Sequence, residues 1–319
     1  MEKLLNVVVA SKVQEGIDIV AIELASQSGG DLPEFTAGAH VDVHVPGGLV
    51  RQYSLCNDPR ERHRYLIAVL REASSRGGSV AMHDSVQEGD VLSISLPRNH
   101  FPLIESACHS LLLAGGIGVT PLLAMAERLT QLGASFDFHY CARSIKRMAF
   151  RQHVLSSRFA DRVQFHFDDA DDAQRLRLDL LLPNPARDTQ LYVCGPAGYI
   201  DHVLLNAAAQ GWRESQLHRE YFVLDSAPAV GGDEFQIKVA STGQVITVPE
   251  DRNVVDVLKD IGIEIAVSCE QGVCGTCLTG VLDGVLDHRD FFMTDSEHAE
   301  GRQFSPCCSR GKGLVLLDL

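Results

Sequence analysis

Along the first hundred residues the apolar positions recur at every second place, in short runs closed by turn-forming residues. "LNVVVASKV", "GIDIVAIELAS", "AHVDVHVPG", "RQYSLCN", "YLIAVLRE" and "DVLSISLP" are such runs. Successive side chains of a strand leave opposite faces, so this alternation marks half-buried strands. Their spacing predicts a small antiparallel β-barrel over residues 1–104. Beyond that the pattern changes. "HSLLLAGG", "SFDFHYCA", "RVQFHF" and "QLYVCGP" are nearly continuous apolar runs, and helix-period stretches such as "PLLAMAERLTQL" and "YIDHVLLNAAAQ" lie between them. Strands alternating with helices predict an α/β domain with a parallel sheet over residues 105–225. The small residues of "SAPAVGGD" predict a linker at 226–233. Residues 234–319 open with a hairpin pattern, "FQIKVASTGQVITVPE", and continue into a helix, "NVVDVLKDIG", with Asn253 as its N-cap. A cysteine-rich loop and a strand-rich end complete a small α+β domain, so the expected fold is multidomain.

Composition narrows the classes of function. Apolar residues make up 45% of the 319 and charged residues 22%, an ordinary globular mixture. The net charge of −14 disfavours nucleic acid, whose phosphates need a basic face. It suits docking onto a protein with a complementary positive patch, or it serves solubility alone. The start, "MEKLLNVVVASKV", has no signal-peptide pattern. The longest apolar stretch, "SLLLAGGIGVTPLLAMA", is too broken by glycine and proline to span a bilayer. The expectation is a cytoplasmic protein without membrane attachment, whose thiols stay reduced.

Reduced thiols give meaning to "SCEQGVCGTC" at 268–277. Its cysteines read Cys269-x4-Cys274-x2-Cys277, followed after 29 residues by Cys307–Cys308. Zinc sites pair two short clips, and a second clip is missing. The spacing is that of a plant-type ferredoxin, where three thiolates on one loop and a fourth from afar hold a 2Fe–2S cluster. Gly272 and Gly275 let the loop wrap tightly. If Cys307 and Cys308 lie on a strand they point to opposite faces, so only one of them reaches the cluster. Cys56, Cys108, Cys141 and Cys194 lie in apolar contexts that suit small buried residues.

A one-electron carrier needs a source. In "LLLAGGIGVTP" a strand runs into Gly115, Gly116 and Gly118 before a helix begun at Thr120–Pro121. Glycines at such a turn let backbone approach a pyrophosphate, although the spacing departs from G-x-G-x-x-G. "YVCGPAG" brings Cys194, Gly195 and Pro196 to the same sheet edge, and two such edges frame a dinucleotide cleft. Hydride delivers two electrons together, so a flavin is needed to release them singly. In the first segment Arg51 can bind its phosphate, Tyr53 can stack on its ring and Ser54 can hydrogen-bond the reactive nitrogen. Gly78 and Ser79 of "RGGS" (76–79) can cradle phosphate.

"RQYSLCNDP", "RGGS", "AGGIGVTP", "CGP", "EYF", "SCEQGVCGTC", "DHRD" and "CCSR" occur in this order over nearly the whole chain. In that ordered set the chain resembles the phthalate dioxygenase reductase family, which includes vanillate O-demethylase reductases and similar partners of Rieske oxygenases. The resemblance implies an FMN-binding barrel, an NADH-binding central domain and a C-terminal ferredoxin (β-grasp) domain. FMN rather than FAD follows from the domain order. Arg51, Tyr53, Ser54, Gly78 and Ser79 would hold FMN, and Gly116, Thr120, Cys194 and Gly195 would line the nicotinamide path. Arg143 and Asp168 would neighbour the adenosine half, with Asp169, Asp171 and Asp172 competing for the acidic place. An acid near the ribose repels a 2′-phosphate and argues for NADH over NADPH. Phe222 would cover the flavin ring; with Ser54 and Cys194 it is assigned to the chemistry itself. Cys-x-Ser-Arg selects Cys307 as the fourth cluster ligand beside Cys269, Cys274 and Cys277.

The expected function is that of a monomeric NADH-dependent reductase passing electrons from NADH through FMN and the cluster to a Rieske-type oxygenase. A reductase for a non-Rieske acceptor and a non-catalytic redox sensor are the alternatives, the latter without any output domain in the sequence. The oxygenase's own substrate is not encoded in this chain.

Overall fold

The computed structural model describes residues 3–72, 77–171, 174–182, 185–186, 188–222 and 231–319. Arg76, Asp172 and positions 226–230 of the expected linker lie outside the described residues. The chain divides into two compact units, one ending at Glu220 and the other beginning at Tyr221.

The first unit holds two sheets. One is built from β1 (Leu5–Gly16), β2 (Ile19–Ser26), β3 (His40–Val45), β4 (Leu49–Ser54), β5 (Tyr65–Leu70) and, after helix α1 (Gly78–Asp84), β6 (Val91–Ile94). Its six strands run in the order β4-β3-β6-β1-β2-β5, paired antiparallel. The alternation seen in the sequence sets the register. Val7, Val9, Val41, Val43, Ile67 and Val69 turn inward and pack with Met82 of α1. Each such side chain contributes roughly 1.5–3 kcal/mol when buried, and a one-residue slip would expose the whole set.

The second sheet comprises β7 (His109–Gly115), α2 (Val119–Leu132), β8 (Phe136–Ala142), α3 (Arg151–Ser156), β9 (Val163–Phe167), α4 (Leu178–Leu181), β10 (Thr189–Gly195), α5 (Ala197–Ala209) and β11 (Leu217–Tyr221). Strand order is β11-β10-β7-β8-β9, with β10, β7, β8 and β9 parallel. From β7 the chain moves outward to β8 and β9, then returns to the other side of β7 as β10. Order therefore reverses between β7 and β10, and a crevice opens at the carboxyl ends of the two strands.

The second unit is a five-stranded sheet, β13-β12-β16-β14-β15, in which β12 runs parallel to β16. Its elements are β12 (Phe235–Val239), β13 (Val245–Val248), α6 (Val254–Asp260), β14 (Thr279–Asp287), α7 (Asp295–Glu300), β15 (Gln303–Phe304) and β16 (Arg310–Leu317). The expected hairpin forms with Phe235 opposite Val248. Asn253 caps α6 as its sequence implied, Oδ1 accepting from Asp256 N–H at 2.8 Å. Ile237, Val254, Leu258, Phe304 and Val315 make the core. Among the described residues no helix is long and apolar enough to cross a membrane.

Candidate functional site

At the crevice the chain approaches itself more closely than any side chain permits. A Cβ on Gly118 would stand 2.3 Å from the carbonyl carbon and oxygen of Cys194, and one on Gly195 would stand 2.9 Å from Cα of Gly115. The glycines of "AGGIG" and the Cys194–Gly195 pair thus nest β7 and β10 against each other. Thr120 is buried and its hydroxyl donates to Ile117 O at 3.1 Å, closing the first turn of α2. Arg143 follows β8 and Asp168 follows β9, both exposed. Asp168 N–H donates to Ala142 O at 3.2 Å, which sets Asp168 beside Arg143 at the same edge of the sheet.

Ser54 ends β4, and its hydroxyl donates to Glu220 Oε2 at 3.3 Å across 166 residues of chain. Burial pushes the Glu220 carboxyl up to about 8, opposed by that hydrogen bond. Burial, then the Glu220 carboxylate, push the Cys194 thiol well above its ordinary value. One hydroxyl, one thiol and one carboxyl therefore share a poorly hydrated corner. Among the described residues Gln52 Nε2 and both His40 ring nitrogens are buried without hydrogen-bond partners, and cross-strand pairing puts them on the face of Ser54. A flavin's polar ring edge suits those unused groups. Tyr53 turns the other way, against the core of the first sheet.

The Arg51 stem lies across Gly78, where a Cβ would meet its Cγ and Nε at 2.7 Å. Gly78 and Ser79 open α1, so the Arg51 stem lies against the first turn of that helix. Ser79 Oγ also accepts from Glu72 N–H at 3.1 Å. Phe222, half-buried, directly follows the Glu220–Tyr221 end of β11.

In the second unit the loop between α6 and β14 gathers the sulfurs. Glu270, Gly272 and Gly275 take positive φ of 54°, 74° and 68° and curl the loop inward. A Cβ on Gly275 would stand 2.4 Å from the Phe292 ring. Cys269 meets Cys274, and the shared hydrogen favours a thiolate on Cys274. Cys277 likewise meets Cys307, which Cys308 also reaches, and together they favour a thiolate on Cys307. Backbone N–H groups point at the sulfurs: Gln271 N–H lies 3.4 Å from Cys269 Sγ, and Gly272 N–H reaches Cys307. Two hydrogen-bonded thiol pairs ringed by amide donors fit the thiolate set of a 2Fe–2S cluster.

The expectation that Cys307 and Cys308 lie on a strand is corrected. They sit in a turn closed by Cys308 N–H and Ser309 N–H to Ser305 O, at 3.1 and 2.8 Å. The turn keeps the two thiols beside each other: Cys307 also meets Cys277, while the Cys308 thiol lies against Gly272 of the loop and 3.7 and 3.9 Å from Ser305 O and Ser309 Oγ. Below the turn, buried Arg310 binds the carbonyls of Arg252, Pro249 and Asp233 at 2.7, 2.8 and 3.1 Å, fixing the start of β16. Of the remaining cysteines, Cys56 and Cys194 are buried, but Cys108 is exposed and Cys141 half-buried, against expectation. Cys108 precedes β7, outside the sheet, and Cys141 lies near the carboxyl end of β8.

Residues 237–312 match the 2Fe-2S iron-sulfur cluster binding domain family. Over 318 residues the chain is 52% identical to a vanillate O-demethylase oxidoreductase of Pseudomonas putida, covering 99% of this chain and 100% of that protein. It is 46% identical over 327 residues to the tert-butanol monooxygenase / tert-amyl alcohol desaturase reductase subunit of Aquincola tertiaricarbonis, covering 99% and 96%. The solved structure of a phthalate dioxygenase reductase, described as a modular structure for electron transfer from pyridine nucleotides to 2Fe–2S, matches with a TM-score of 0.75. Its identity is 37%, over 99% of this chain and 98% of that one.

The chain belongs to the phthalate dioxygenase reductase family. As a member it is an NADH-dependent iron–sulfur flavoprotein oxidoreductase, an electron-transfer component of an oxygenase system that works with FMN, a 2Fe–2S cluster and NADH. One site residue escaped the sequence reading of this phthalate dioxygenase reductase relative. Glu220 stands inside the quoted "EYF", yet nothing along the chain separates it from the exposed acids. Its only signal was a carboxylate placed directly before two aromatic residues.

Proposed function

We propose that this chain is the cytoplasmic, monomeric reductase of a two-component Rieske-type oxygenase, with its electron path divided among three segments. Residues 1–104 hold FMN, 105–225 hold NADH, and 234–319 carry the cluster, joined through 226–233. When bound, FMN supplies the conversion of a two-electron hydride into single electrons that the cluster takes up. Arg51, with the backbone of Gly78 and the hydroxyl of Ser79, grips the flavin phosphate, while Tyr53, expected to stack on the ring, instead supports β4 from the core side. Ser54 orients the reactive ring edge by its hydroxyl, while Glu220 Oε2 keeps a proton close to it at neutral pH. Gly115, Gly116, Thr120 and the Cys194–Gly195 pair shape a close backbone passage for nicotinamide. Arg143 and Asp168 sit where the adenosine ribose ends, and the Asp168 carboxylate disfavours NADPH. Phe222 closes the flavin face until nicotinamide displaces it. Cys269, Cys274, Cys277 and Cys307 ligate the cluster.

The observation that carries this reading is the contact of Ser54 with Glu220 beside Cys194. It brings the last strand of the nucleotide sheet to the last residue of β4. The test is turnover with NADH, using ferricyanide and then a purified Rieske oxygenase as acceptor. The expected result is rapid reduction of both, at least tenfold faster with NADH than with NADPH. Ferricyanide reduction without transfer to any Rieske centre would leave a reductase for a different acceptor.

A further inference from the structure

Beyond the cysteine loop, β14 runs into "DHRD" and α7 follows. Here the ligand atoms of His288, Asp290 and His298 lie within 4.8 Å of one another. The Asp290 side chain is fully buried, while those of His288 and His298 are 11% and 23% exposed. Its carboxylate is held in place: Oδ2 accepts from Met293 N–H at 2.9 Å and Oδ1 from the Ser309 hydroxyl at 3.3 Å. Each oxygen also faces an imidazole, His298 Nε2 at 3.2 Å and His288 Nδ1 at 3.8 Å.

None of these partners is a fixed cation. Arg289, the neighbour in sequence, turns to Asp287 at 2.7 Å instead. A buried carboxylate normally pairs with a fixed cation or coordinates a metal. The two imidazoles instead stack on each other, with centroids 4.3 Å apart and 16° between planes. Among the described residues neither buried ring nitrogen of His288 has a hydrogen-bond partner, so both are open to another ligand.

Neutral imidazole nitrogen with carboxylate oxygen is the donor set of zinc-class divalent cations. Metal–ligand bonds of about 2.0–2.1 Å put the donors of one ion roughly 3–4 Å apart, and the contacts of 3.2 and 3.8 Å already approach that spacing. Met293 N–H and Ser309 supply the supporting hydrogen bonds that orient a ligating carboxylate. We propose that His288, Asp290 and His298 form a site for one divalent transition cation of the zinc class, its coordination completed by solvent beside His298. The site is separate from the cysteine set and does not depend on the electron path. It abuts the cysteine loop, because Phe291 N–H donates to Gly272 O at 2.9 Å. A bound cation ties the "DHRD" segment and α7 to that loop.

The experiment uses the holoprotein with its iron complete. It is dialysed against micromolar zinc chloride and then against zinc-free buffer, and its metals are counted by mass spectrometry. About one zinc per chain is expected above an unchanged iron content. His298→Ala should weaken zinc binding at least tenfold and Asp290→Asn should abolish it. His153→Ala, changing an exposed histidine of the other unit, should alter nothing. Should Asp290→Asn lose iron or fail to fold, His298→Ala and His288→Gln decide, with the visible spectrum as the check on folding. No retained zinc in the wild type, equal retention in both histidine variants, or zinc gained only as iron is lost would each overturn the site.

Discussion

The two units build their sites in opposite ways. In the second, three of the four proposed ligands occupy nine consecutive positions, Cys269 to Cys277, and a single turn brings in Cys307. In the first, the corner joins Ser54 to Cys194 and Glu220, 140 and 166 positions further along, through two sheets. A site made by one loop depends on that loop's backbone. A site made by sheet edges depends on every register behind it. Damage should therefore be local and complete in the second unit, and graded in the first.

The largest expected effect tests the local site. Cys307→Ser should lose the iron and the cluster's visible bands while retaining flavin, and NADH–cytochrome c activity should drop by more than a hundredfold. Cys308→Ser should keep iron and spectrum, because it is Cys307 whose thiol meets Cys277, while that of Cys308 also faces Ser305 O and Ser309 Oγ. The reverse outcome in the pair would transfer the fourth ligand to Cys308.

Next is Arg51→Ala in the distributed site. A hydrogen bond to a charged group contributes roughly 1.5–3 kcal/mol, so flavin affinity should weaken about 10–150-fold while iron content stays whole. Equilibrium dialysis against FMN reads the first quantity and metal analysis the second. If cluster and flavin were lost together, the separation of the two sites would fail.

Smaller, and dependent on pH, is Glu220→Gln. The folded carboxyl titrates near 8 because burial disfavours its charge, against an ordinary value of about 4.3. The folded state therefore holds a proton that the unfolded chain has released across that interval. The stabilisation this proton confers is full below the unfolded value and is lost as pH rises through about 8. Flavin reduction by NADH should slow several-fold above that pH in the wild type and stay flat in the variant. Identical pH profiles would remove Glu220 from the site.

The smallest effect concerns docking. Residues 234–319 carry fourteen Asp plus Glu against seven Lys plus Arg. Such a field speeds encounter with a basic partner more than it tightens the complex, and salt screens it over a Debye length of about 8 Å. Coupled turnover with the oxygenase should fall a few-fold as salt rises, while ferricyanide reduction, which needs no docking, should hardly change. A flat coupled rate would mean that the acidity only solvates the unit.

Much of this was legible along the chain, for reasons that can be named. Val41 and Val43 alternate with polar neighbours and so announced a strand and its buried face. The Cys269–Cys277 spacing announced its chemistry because loop ligands keep their distances in sequence. Arg51 and Gly78 were singled out separately, but their contact depends on α1 packing under β4. Cys108 looked like core and is exposed, because an apolar run does not say where its cover ends.

By itself the sequence determined most element types, the buried faces of the strands and the grouping of three thiols, since each rests on periodicity or contact within a few residues. Tertiary structure alone decided three things. It brought Glu220 to Ser54, it set Cys307 and Cys308 in a turn instead of a strand, and it stacked His288 on His298 around the buried Asp290. Each of these depends on burial and on approach between distant segments. A carboxylate or an imidazole looks the same along the chain whether it ends in water or in the interior, and only packing removes the water that made it ordinary.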